Sequence, residues 1–190
     1  KYYVAEFGLG IEVAALLAVC FSLPGGVLRA VGGWLSDRHG AHKVTWWVMW
    51  VSWICLFLLS YPHTEFTVMT VDGPRSFEIH HNVWFFTFLM FIVGVAWAFG
   101  KASVFKYIAN DFPKEIGAVS GVVGLAGGLG GFLLPIMFGA LLDLTGVRSS
   151  AFMLLYGITW VSLVWMYWTE VRTRDVLHDE ADEAKPEPAH

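Results

Sequence analysis

Polar residues gather in clusters along this 190-residue chain, and between the clusters lie five long apolar stretches. They cover approximately residues 12–35, 44–60, 83–108, 116–142 and 151–169. Each is near the ~20 residues an α-helix needs to cross a hydrocarbon core. Isolated apolar β-segments could not satisfy their backbone groups in lipid, and barrel strands are shorter and alternate in polarity. The pattern therefore predicts an all-α integral membrane protein with about five transmembrane helices. Residues 1–11 read as an external connection, 12–171 as the membrane-embedded part, and 172–190 as a cytoplasmic tail. Asp72-Gly73-Pro74 is a turn signal inside the 61–82 connection, and the β-prone runs beside it suggest a hairpin.

The connections differ in charge, and this sets a direction. Arg38 and Lys43 follow the first stretch, Lys106 and Lys114 border the connection after the third, and Arg172 and Arg174 follow the fifth. The opposite set holds only Arg75 and Arg148. An excess of Lys and Arg marks the cytoplasmic side, so the first span runs inward and the C-terminus is expected in the cytoplasm. An odd number of spans then puts Lys1 outside. A start at Lys1 without an initiator Met suggests a fragment preceded by a further helix.

Composition adds why the stretches are so apolar. The chain is 56% hydrophobic, 16% aromatic and 15% charged, with mean hydropathy +0.58; soluble domains carry about 25% charged residues. Lipid is the solvent for most of it. The net charge of −4 is dominated by the acidic run 175–187, a segment expected to be disordered. No basic stripe stands apart from the membrane edges, which argues against nucleic-acid binding. Cys20 and Cys55 sit in apolar stretches and read as packed thiols rather than a disulfide or metal pair. His63, His80 and His81 read as solvated loop residues rather than metal ligands, and no cofactor is expected.

Candidate chemistry centres on Arg29, eight residues before Asp37 at the cytoplasmic edge. Eight residues amount to ~12 Å of helix, close to the middle of a ~30 Å core. A cation there costs about 2.5–3.5 kcal/mol on insertion scales. Snorkelling would need most of the side chain's length, so a water-filled cavity that admits an anion is the stronger reading. A guanidinium is planar and always charged, and its forked donors match a planar oxyanion; nitrate fits, as does a carboxylate.

The fourth stretch carries Gly117, Gly121, Gly124, Gly127, Gly128, Gly130 and Gly131, then Pro135. Gly117, Gly121, Gly124, Gly128 and Gly131 alternate spacings of four and three, so they share one helical face. Such a face admits a neighbouring backbone or a small ligand, and both readings stand. Lys101 is equally open: it can snorkel toward Lys106 or add positive potential to an anion path. Glu6 and Glu12 read as interfacial rather than as proton carriers.

The string from Gly32 to Lys43 straddles the cytoplasmic edge. It resembles the G-x-L-x-D-R-x-G-x-[RK]-[RK] signature of the major facilitator superfamily, matched at Gly33, Leu35, Asp37, Arg38 and Gly40, with His42 replacing one basic residue and Lys43 keeping the other. Leu23 to Trp34 is similar to the eighth helix of nitrate/nitrite porters of the NarK type. The run Gly117–Phe132 with Pro135 is similar to their eleventh-helix nitrate signature, and Gly100-Lys101-Ala102-Ser103-Val104 to one branch of that family.

The resemblance implies a twelve-helix, monomeric transporter of the cytoplasmic membrane, of which this chain supplies helices eight to twelve. Its N-terminal half, with a partner arginine and a second glycine signature, would lie outside this chain. Arg29, Gly121 and Gly124 would then bind substrate. Gly117, Gly127, Gly128, Gly131 and Lys101 would line the path or pack helices, and Gly33, Asp37, Arg38 and Gly40 would form a conformational latch. Some relatives carry serine at the position of Gly124, so that hydrogen bond would be absent here.

The implied activity is alternating-access transport of nitrate, nitrite or both, leaning toward exchange because no mid-membrane carboxylate stands out. Proton-coupled nitrate uptake, transport of another small anion, and a non-transporting scaffold are the alternatives. No Ser/His/Asp, metal-ligand or nucleotide-loop constellation points to an enzyme.

Overall fold

The computed structural model describes residues 2–71, 73–79 and 82–171. Seven α-helices and one hairpin follow in the order α1 (Tyr2–Phe7), α2 (Ile11–Val27), α3 (Arg29–His39), α4 (Ala41–Leu59), β1 (Thr64–Thr70), β2 (Gly73–Ile79), α5 (Val83–Asp111), α6 (Ile116–Thr145) and α7 (Ser150–Met166). A π-helical turn, Tyr167–Val171, ends the described chain. The acidic tail, His80, His81, Arg172 and Arg174 lie outside the described residues.

Among the described residues, four helical segments are each long and apolar enough to cross a membrane: Ala41–Leu59, Val83–Asp111, Ile116–Thr145 and Ser150–Thr169. The first apolar stretch differs from a straight span. It breaks at Leu28 into α2 and α3, inclined at 49° to each other. Pro24 has no N–H for the Cys20 carbonyl, and Gly25 and Gly26 follow it with little helical preference. Pro135 meets a different outcome: α6 continues ten residues beyond it to Thr145, whereas α2 ends three residues after Pro24. The 61–82 connection holds an antiparallel hairpin, with Thr64 opposite Ile79 and Phe66 opposite Phe77.

α5 is the central helix: it packs against α2, α3, α4 and α6, and α4 packs in turn on α7. One core gathers Tyr3, Cys55, Leu59, Phe86, Leu89 and Val93. Aromatic rings close its end. Tyr2 stacks on Phe86 with centroids 4.8 Å apart and meets Phe152 edge-on at 5.4 Å. Burial pushes the Tyr2 phenol up to about 12, with Glu6 adding to the shift and Arg148 opposing it, so the ring packs neutral. The Tyr3 hydroxyl lies 2.9 Å from Thr87 Oγ1. A second core joins Val44, Val48 and Ala96, flanked by Leu35 and Phe99. Both cysteines are free; Cys55 is buried, whereas Cys20, read from sequence as packed, is exposed.

Two glycines set how closely the helices approach. A Cβ on Gly94 would sit 2.5 Å from the Phe21 carbonyl oxygen, and one on Gly32 would sit 2.8 Å from Phe99 Cα. α2 and α3 therefore touch α5 backbone to backbone, as small residues allow in membrane bundles. α6 is the opposite case, since none of its residues is buried.

Candidate functional site

Arg29 is the first residue of α3, immediately after the break at Leu28. A helix break in a span leaves backbone groups partly unpaired, and such sites tend to border cavities. Arg29 shares a face with Gly32 and Ser36, three and seven residues on. Gly32 and Ser36 are buried, and Ser36 Oγ donates to the Gly32 carbonyl at 2.8 Å, while Arg29 one turn earlier is exposed. Among the described residues nothing pairs with its guanidinium. The arginine thus stands at the edge of the α3–α5 seam with its donors uncommitted.

The glycine face of α6 stands apart from it. Space for a Cβ is open at Gly117, Gly121, Gly124, Gly127, Gly128 and Gly131, with no atom within 4 Å. α6 neighbours α5 and α7, and α3 neighbours α2, α4 and α5. Arg29 and the glycines are therefore not in contact within this chain. Lys101, on α5, is exposed between Gly100, which faces Val48, and Ala102, which faces Gly32. Among the described residues it too has no ionic partner.

The α3–α4 turn is the most organised part. Gly40 takes φ +88°, a conformation that favours glycine, and its N–H donates to the Ser36 carbonyl at 3.0 Å. That geometry reverses the chain in one residue between His39 and Ala41. Asp37 Oδ1 then lies 2.7 Å from Lys106 Nζ on α5, and Arg38 stands over the Trp34 ring at 5.6 Å. Across the turn, His42 Nε2 lies 3.3 Å from Asp111 Oδ2, and the His42 ring is 3.7 Å from that of Tyr107. Thr45 Oγ1 lies 2.8 Å from the buried Ser103 Oγ, one further tie between α4 and α5. These ties pin both helices of the turn to the last turns of α5.

The sequence marks Asp37 for a latch but names no partner for it, and it marks Lys106 as a cytoplasmic-edge residue that Lys101 could snorkel toward. Asp37 and Lys106 are 69 positions apart, so no local pattern joins them. The Asp37–Lys106 pair is about half exposed on both sides. Lys106→Gln is therefore expected to lower stability by no more than ~1 kcal/mol. Thermal unfolding checks this, and a larger loss would mean that the pair is shielded from solvent in the membrane.

Apolar helices exposed along their length, a bent span and an uncommitted cation beside the bend define a multi-pass helical membrane protein. Residues 1–189 match the family model of the Major Facilitator Superfamily, and the chain belongs to that superfamily. It is 38% identical over 186 residues to the "Probable nitrate/nitrite antiporter NarK1" of Thermus thermophilus, covering 97% of this chain and 41% of the relative. It is 28% identical over 173 residues to the "Nitrite extrusion protein" of Bacillus subtilis (strain 168), covering 90% and 39%. It is 30% identical over 155 residues to the "Probable nitrate transporter NarT" of Staphylococcus haemolyticus (strain JCSC1435), covering 82% and 36%. The chain thus spans about two fifths of the length of these curated relatives. No solved structure matches it.

Proposed function

We propose that this chain is the C-terminal part of a nitrate/nitrite porter that works by alternating access, with exchange of the two anions as its mode. The carrying observation is Arg29, a cation inside an apolar span, exposed at a helix break and uncommitted among the described residues. An ionisable group in such a position is a functional candidate because its desolvation needs compensation. A flat, singly charged oxyanion provides it through paired N–H donation. The similarity to relatives named for nitrate and nitrite supports this choice of anion.

In this reading α6 brings its glycine face, with Gly121 and Gly124, to the substrate opposite Arg29, and the remaining half of the transporter closes the site. A second arginine from that half leaves the empty site doubly positive. Electrostatic repulsion then resists closure until an anion enters, which couples inward passage of one anion to outward passage of the other. The α3–α4 turn, tied to α5 through Asp37–Lys106 and His42–Asp111, moves as one block with it. The turn and the last residues of α5 lie in the cytoplasm, the hairpin lies outside, and the transporter is a monomer in the cytoplasmic membrane.

The test is labelled nitrate uptake into proteoliposomes holding the full-length transporter. Internal nitrite is expected to accelerate uptake, while an inward proton gradient leaves it unchanged. Acceleration by the proton gradient alone would replace exchange with proton-coupled uptake. No flux of either anion would remove nitrate and nitrite as substrates.

A further inference from the structure

A groove of about 630 Å³ opens between α3, α4 and α5, away from the α6 glycines. Its walls are apolar: Leu35 from α3, Trp47 and Val51 from α4, and Ile92, Val95 and Phe99 from α5. Its rim at the α3–α4 turn is basic, with Arg38, His39 and Lys43. Asp37 sits beside that rim, but its carboxylate is engaged by Lys106 at 2.7 Å and does not cancel the positive charge. Arg38 is steadied over Trp34, and Trp47 is 68% exposed along the groove. From Lys43 to Val51 the groove descends eight residues of α4, ~12 Å of depth.

A cationic mouth above a long apolar channel matches one chemistry, a phosphate ester carrying hydrocarbon. We propose that this groove binds an anionic phospholipid, its phosphate held by Arg38 and Lys43 and one acyl chain laid past Trp47 toward Val51 and Ile92. A small anion would leave the apolar wall uncovered. A zwitterionic lipid would gain less from the rim, because its own cation opposes Arg38 and Lys43. Basic residues next to the bilayer attract anionic headgroups in this way. The bound headgroup bridges α3 and α4 across Gly40, the residue on which the turn pivots.

The test uses the full-length transporter, delipidated in detergent and offered phosphatidylglycerol or phosphatidylcholine, with retained lipid counted by native mass spectrometry. Wild type is expected to retain one phosphatidylglycerol over phosphatidylcholine by roughly 10-fold or more, and Lys43→Gln to lose about fivefold of that preference. Lys43 is exposed, so this variant leaves the packing intact. Val51→Trp, which fills the apolar end, is expected to release the lipid without altering the rim. Arg75→Gln, on the hairpin and away from the groove, is expected to behave as wild type. Equal retention of both lipids, an unchanged preference in Lys43→Gln, or a dimer that Val51→Trp dissolves would each overturn the proposal. None of these readouts depends on nitrate flux.

Discussion

Arg29→Lys lowers nitrate flux by about 10- to 100-fold at unchanged membrane abundance, if the guanidinium is the anion's ligand. The charge survives this substitution, so long-range attraction of the anion survives with it. What is lost is the planar pair of donors that fixes the orientation of a flat oxyanion, and hydrogen bonds to charged groups contribute ~1.5–3 kcal/mol each. Abundance should hold because Arg29 is exposed and joins no ion pair among the described residues. The measurement is labelled nitrate uptake by the full-length transporter in cells lacking other nitrate transport, normalised to protein in the membrane. Equal flux in wild type and variant would show that the anion is held elsewhere.

The second large effect separates two kinds of glycine. Gly94→Ala would place a Cβ 2.5 Å from the Phe21 carbonyl oxygen, and Gly32→Ala would place one 2.8 Å from Phe99 Cα. Both neighbours are backbone atoms that cannot swing aside, so helices must move apart. Each substitution is expected to cost about 1–3 kcal/mol or more and to reduce the amount of folded transporter. Gly121→Ala and Gly124→Ala meet open space in this chain and are expected to unfold at the wild-type temperature or slightly above it. If that face borders the substrate as proposed, their effect falls instead on transport, because a methyl group would narrow it. Thermal unfolding and flux, measured on the same four variants, distinguish the cases. Were Gly121→Ala as destabilising as Gly94→Ala, the α6 face would be a packing surface for helices beyond this chain.

The two glycine classes also mark where sequence reasoning reached and where it stopped. The long apolar runs announced the helices, because a lipid solvent leaves few other ways to satisfy a backbone. The hairpin was legible from Asp72-Gly73-Pro74 and its β-prone flanks. The break at Leu28 was not anticipated, although Pro24, Gly25 and Gly26 carried the signal. Membrane helices often run through proline, as α6 does at Pro135, so composition alone does not separate a bend from a continuous helix. Gly94 gave no signal at all. It is one glycine in an apolar run, and its meaning depends on which helix lies beside it. His42–Asp111 is similar: the signature string draws attention to His42 and nothing to Asp111, and their meeting requires α4 and α5 to be antiparallel neighbours. The candidate site was legible as a residue list, whereas its spatial arrangement needed the fold, and Arg29 and the α6 glycines remain on separate helices here.

The aromatic knot around α1 bears on the order in which the molecule is made. Tyr2 leaves the ribosome well before its stacking partner Phe86 and its edge-on partner Phe152, which lie far downstream of it. Glu6 likewise waits for Arg148, which it meets at 3.1 Å. At translation speeds of about 5–20 residues per second, the interval between Tyr2 and Phe152 is roughly 7–30 s. Throughout that time α1 has emerged without all of its final neighbours, and the translocon or lipid must keep its rings company. Helix α1 is therefore synthesised well before it is seated, and the arrival of α7 is the event that completes its burial.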